Sequence, residues 1–149
     1  MTLEGLLDFL FIFNAFLFQV ILIVHFGLRK WRFNTAMRYG WVVYAFSFPS
    51  AALSFLMIQG GKPWSMWLAG LIYLVWAVFG YSVEYGKEIQ WRNPIRWSIF
   101  IPYVFLYLMT VMFYWFPLAL LWKPLWYIYA FLFIISTLLN ITSHKPASK

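Results

Sequence analysis

The sequence predicts an all-α integral membrane protein, a bundle of about five transmembrane helices, and three observations predict it. Of 149 residues, 64% are hydrophobic and only 10% are charged. A soluble domain carries roughly 25% charged residues, so this chain has too few polar side chains to cover a water-facing surface. Apolar runs near the roughly 20 residues that cross a bilayer as a helix recur along it. The polar residues gather in short clusters between those runs. A closed barrel, the other way across a membrane, needs alternating apolar and polar positions, which continuous apolar runs exclude.

The first span is placed at 6–28. The residues before it, MTLEGLLD, carry no positive charge, and the run that follows is too long for a signal-peptide core. A first span of the mature chain is therefore expected, not a cleaved leader. The remaining spans are placed at 39–58, 64–83, 97–116 and 125–141. The connections are RKWRFNTAMR (29–38), QGGKP (59–63), EYGKEIQWRNPIR (84–96) and PLALLWKP (117–124). None is large enough to fold separately, so 1–149 reads as a single transmembrane domain. Pro117 and Pro124 bracket the last reversal, Pro94 interrupts the third connection, and Pro102 falls in the first turns of span four, where a missing N–H costs least.

Charge orients the bundle. Arg29, Lys30, Arg32, Arg38, Lys87, Arg92, Arg96, Lys145 and Lys149 fall on one side of a five-span arrangement, and Lys62 and Lys123 on the other. Positive residues are retained in the cytoplasm, which places the N-terminus outside and the C-terminus inside. Four spans would leave the tail outside and spoil the split. The same placement explains the net charge of +7 through lipid headgroups, so nucleic acid is not expected as a partner. With no cysteine, disulfides, thiolate metal sites and a cysteine nucleophile are excluded.

Nine of the ten tryptophans lie near span ends, where indole rings prefer the headgroup layer. Trp76 is the exception, in the middle of span three. In span two the stretch AFSFPSAALSF (45–55) sets a helix breaker and three serines in an apolar run. Pro49 deprives the Ala45 carbonyl of its donor, and in hydrocarbon a hydroxyl, a helix or a water must approach instead. Ser47/Ala51 and Ser50/Ser54 stand at the small-xxx-small spacing that lets helices come close. A kinked segment turned away from lipid, packed tightly or lining a pocket, is expected.

At 100° per residue, Tyr73, Ala77, Gly80 and Glu84 share one stripe of span three, and Asn14 and His25 share a face of span one. Glu4, Asp8 and Gln19 share another face, and Ser136, Thr137 and Asn140 close span five. Polar groups inside a membrane face the bundle interior, which proposes a centre made by spans one, two, three and five. The pocket candidates are Asn14, His25, Ser47, Pro49, Ser50, Ser54, Tyr73, Trp76 and Glu84. Each has a plainer reading beside it: Glu84 as an interfacial ion pair with Lys87, His25 as a packing histidine, Asn14 and Gln19 as interhelical hydrogen bonders. His25 and His144 form no pair on facing helices that would suggest haem, and no cofactor is read. The sequon at Asn140 falls at the membrane edge on the inner side and is set aside. The segment 87–97 mixes bulky apolar and charged residues and suits the headgroup plane or a docked partner.

In size, span number and tryptophan content the chain is similar in outline to the tryptophan-rich translocator proteins. Lys62-Pro-Trp-Ser-Met-Trp67 with Tyr73 resembles their lysine–proline–tryptophan region, although here it leads into span three instead of span two and the rest of their pattern is missing. Small multidrug transporters resemble it in size, but they set a carboxylate deep in the first helix, whereas Glu4 and Asp8 lie near its outer end.

No catalytic residue and no metal ligand is read: there is no Ser/His/Asp set, no HExxH and no acidic cluster on the cytoplasmic face. The expectation is a small multi-pass protein, not an enzyme, that binds an apolar small molecule or lipid or serves as a membrane subunit of a homo- or hetero-oligomer. The alternative is a small transporter or channel with a polar path near Asn14, His25 and Glu84. A cell membrane is the default location, with an organelle membrane as the other.

Overall fold

A computed structural model describes residues 2–92 and 94–143; His144, Lys145 and Lys149, named above, lie outside the described residues. Its described elements are helical. They are α1 (Leu3–Trp31), α2 (Phe33–Tyr39), α3 (Trp41–Ala45), α4 (Ser47–Gln59), α5 (Trp64–Tyr81), a π-helical turn (Ser82–Gly86), α6 (Trp97–Leu121) and α7 (Lys123–Ser143). Taken with their continuations, five helices are long and apolar enough to cross a membrane: Leu3–Trp31, Phe33–Gln59, Trp64–Gly86, Trp97–Leu121 and Lys123–Ser143. The shortest has 21 residues, about 31 Å of helix, against a hydrocarbon core of about 30 Å.

Every span is longer than the sequence suggests, and two connections nearly vanish. Between spans one and two only Arg32 leaves helical geometry, with φ −140° and ψ 66°. The basic cluster 29–38 is thus mostly helix, with Arg29 and Lys30 in the last turn of α1, where positive charge complements the helix C-terminus. Likewise Pro117 does not end span four. It lies inside α6, and the single extended residue Trp122 makes the reversal. Pro117 and Leu118 are both buried.

The five spans close into a ring in which each packs on its neighbours in chain order and span five returns to span one. Outward faces are apolar, as Phe9, Phe13, Val20 and Val24 of α1 illustrate. Inward faces hold an aromatic core. Phe18 lies 4.7 Å from Tyr73 and 5.2 Å from Tyr114 by ring centroids, and Trp76 touches Tyr44, Tyr73, Tyr103 and Tyr107. Lipid tails are as apolar as these rings, so association depends on close packing and interhelical hydrogen bonds. Asn14 supplies two: its Nδ2 donates to the Tyr114 hydroxyl at 2.8 Å, and its Oδ1 accepts from Ser50 at 3.1 Å. Ser136 donates to Gln19 Oε1 at 3.1 Å, tying span five to span one. At the end of the bundle far from Glu84, Lys62 pairs with Asp8 at 2.7 Å.

The proline stretch divides by face. Ser47, Ala51, Ser50 and Ser54 are buried, whereas Pro49 and Ala52 are exposed. Phe46, three residues before the proline, separates α3 from α4 but keeps right-handed helical dihedrals of φ −64° and ψ −15°. Hydroxyls bond carbonyls beside Ala45, but among the described residues none donates to the Ala45 carbonyl itself: Ser47 donates to the Tyr44 carbonyl at 2.6 Å, Ser50 to Phe46 at 2.9 Å, and Tyr73 from span three to Val43. The close approach has a partner, Gly70, where an added Cβ would collide with the Ser50 carbonyl and Ser54 Oγ.

Candidate ligand cavity

A cavity of about 530 Å³ opens between α6 and α7 and reaches inward to α5 and α1. Its walls are apolar or aromatic, among them Phe26, Phe100, Val104, Leu108 and Phe133. Arg92 and Trp91 sit at one end, and Trp76 and Tyr107 line the inner wall. Ligand sites of about 300–1,000 Å³ that are mainly apolar, with a few convergent polar groups, are the common pattern.

The Arg92 end is built by the unwinding of span three. The π-helical turn over Ser82–Gly86 finishes the span, and Glu88 takes a left-handed φ of 48° that reverses the chain. The backbone then folds back, so that Trp91 is buried with its ring 4.7 Å from Tyr103. Arg92 stacks over Trp91, 4.5 Å from guanidinium carbon to ring centroid. Its Nη2 donates to Glu84 Oε1, with both side chains only 15% exposed. Glu84 Oε2 accepts from the Tyr44 hydroxyl at 2.7 Å, and Tyr44 and Tyr103 share a hydrogen bond of 3.1 Å. Three elements thus converge on one carboxylate. Arg29 is close enough for its charge to act on Glu84 as well.

This corrects the expected pairing of Glu84 with Lys87. Lys87 is exposed; it falls where the helix has already unwound, and the chain reversal brings Arg92 to the carboxylate instead.

Several polar atoms at the cavity are unsatisfied. Arg92 Nε and Nη1, Trp76 Nε1 and Thr137 Oγ1 are buried with no hydrogen-bond partner among the described residues, and all three residues line the cavity. A buried donor without an acceptor costs about 1–3 kcal/mol, more when charged. The nitrogens among them donate only, and the threonine hydroxyl donates or accepts, so the unmet need is chiefly for acceptor oxygens.

The sequence candidates separate accordingly. Trp76 lines the cavity, and Glu84 holds Arg92 in place. Asn14, Ser50, Ser54 and Tyr73 are buried away from it, bonded between helices or to backbone. Ser47 and Phe48 touch a smaller cleft of about 230 Å³ on the seam of α3, α4 and α5. Pro49 lines neither of these two and is exposed. His25 is half-buried on the seam of α1 with Gly40, where an added Cβ would lie 3.0 Å from its Cε1. Among the described residues no three of His, Cys, Asp or Glu come together as metal ligands.

Span four was absent from the expected centre, yet it contributes Tyr103, Tyr107, Thr110 and Tyr114 to the interior. Their spacing of four, seven and eleven marks one helical face. The belt reading concerns tryptophans only and leaves the tyrosines of span four unread.

No protein-family model, curated protein or solved structure matches the chain.

Proposed function

We propose that this protein is a non-catalytic membrane receptor for an apolar ligand or lipid, held in the cavity between α6 and α7. The observation that carries the reading is the coincidence of an apolar cavity of about 530 Å³ with unpartnered donors on Arg92 and Trp76. A helix bundle that needed only to stand in lipid has no reason to keep those donors inside it. The charge distribution supports a cytoplasmic position for the Arg92 end, with the N-terminus outside.

The transport alternative is less well supported. Asn14 and Glu84 are not joined by polar groups: Phe18, Tyr73 and Trp76 pack between their respective partners, Tyr114 on one side and Tyr44 and Tyr103 on the other. A polar path needs those rings to part.

Native mass spectrometry from a mild nonionic detergent tests the proposal. The wild-type chain is expected to retain one small amphiphile, and Val104→Trp, which sets a large ring across the cavity, is expected to lose it while unfolding at a similar temperature. A wild-type chain that is always empty, or a Val104→Trp variant that keeps the same ligand, refutes the reading.

A further inference from the structure

The cavity has a direction. Its lining residues run from Phe100 to Leu108 on α6 and from Phe133 to Ile141 on α7, eight residue steps each, about 12 Å at 1.5 Å per residue. Along that length the walls are mostly aliphatic and aromatic. Charge appears at one end only, where Arg92 lies. The local balance there is positive, since Arg29 and Arg92 face the single carboxylate of Glu84. Lys87 and Glu88 are exposed nearby and offset each other.

Arg92 is also fixed in position. Its guanidinium carbon lies 4.5 Å from the Trp91 ring centroid and 5.8 Å from that of Tyr103, and Glu84 bonds it from the side of span three. Glu84 occupies only Nη2. Nε and Nη1 are buried and have no hydrogen-bond partner among the described residues. Hydrogen bonds from arginine to an anionic oxygen are about twice as strong as neutral ones, and a buried donor that a ligand satisfies discriminates strongly against an analogue lacking the acceptor.

We propose that the ligand is a single-chain anionic amphiphile whose carboxylate or phosphate oxygens pair with the Arg92 guanidinium at the charged end of the cavity while its hydrocarbon tail lies between α6 and α7. This rests on the reading of the cavity as a ligand site and names the ligand's chemical class. Thr137 and the Trp76 indole lie along the tail's path and accommodate an oxygen further down the chain. Glu84 is the positioning residue. It keeps Arg92 turned to the cavity and, with Tyr44 and Tyr103, prevents the guanidinium from escaping to the headgroup layer.

Titration of the full-length protein in nonionic detergent with four probes of equal chain length tests this: palmitate, hexadecyl phosphate, hexadecan-1-ol and hexadecylamine. Each is read by native mass spectrometry and by the shift in unfolding temperature. One of the two anions is expected to bind one per chain at least tenfold more tightly than the alcohol, and the amine more weakly still; the tighter anion identifies the head as carboxylate or phosphate. Arg92→Gln is expected to remove the preference for the anion while leaving binding of the alcohol in place. Because that variant strands the Glu84 carboxylate, the paired variant E84Q/R92Q, which restores a neutral hydrogen bond, is measured beside it and is expected to behave alike. Equal binding of all four probes overturns the anionic class but leaves the apolar cavity standing. Failure of every probe to bind overturns both. A preference for the anion that survives in both variants overturns the role of Arg92.

Discussion

Glu84 and Arg92 are the only oppositely charged pair at their end of the bundle among the described residues, and each oxygen of Glu84 answers to a different element. Removing one partner of a nearly buried pair leaves the other charge uncompensated, at about 3–5 kcal/mol. Losing one hydroxyl of the same network costs about 0.5–1.5 kcal/mol. Glu84→Ala is therefore expected to lower the unfolding temperature in detergent several times more than Tyr44→Phe. Comparable shifts for the two would mean that Arg92 finds water when Glu84 is gone. At this scale the sequence was half informative. Helical periodicity put Glu84 on the inward stripe with Tyr73, Ala77 and Gly80, and all four face the interior. It could not name the partner, because periodicity stops at Gly86 and the turn through Glu88 obeys no repeat.

At the scale of elements, span two shows two faces in adjacent residues. Ala51 is 5% exposed, whereas Ala52 faces outward. Forcing extra methylenes into a packed seam costs about 1–3 kcal/mol, while an outward apolar substitution stays within about 0.5 kcal/mol. Ala51→Leu is expected to destabilise clearly and Ala52→Leu to be nearly silent in thermal unfolding. Gly70→Leu should resemble the first, since its missing Cβ is what admits the Ser50 carbonyl. Small-residue spacing made this seam legible before any coordinates. Pro49 was only partly legible: a proline announces a break in bonding, but which side its ring faces depends on how the span packs, and here Pro49 is exposed while Ser47, Ser50 and Ser54 are buried. The cavity was not legible at all. It arises because α7 packs on α1 more closely than on α6, and spacing along one helix says nothing about the gap to another.

For the whole molecule, hydropathy settles the number of spans but leaves the direction of the ring to charge. If the basic ends face the cytoplasm, the Arg92 end meets the leaflet rich in anionic lipid, and the cavity can load a single-chain anion from that leaflet without its head crossing the hydrocarbon core. The reverse orientation keeps the same cavity but gives it a different supply. The chain has no cysteine, so single cysteines placed at exposed Gln59 and Lys87 report sidedness without background. In intact cells a membrane-impermeant maleimide is expected to label Gln59→Cys, and to label Lys87→Cys only after the membrane is opened. Labelling of Lys87→Cys in intact cells would invert the bundle and turn the mouth of the cavity toward the exterior, where the ligand must then be sought.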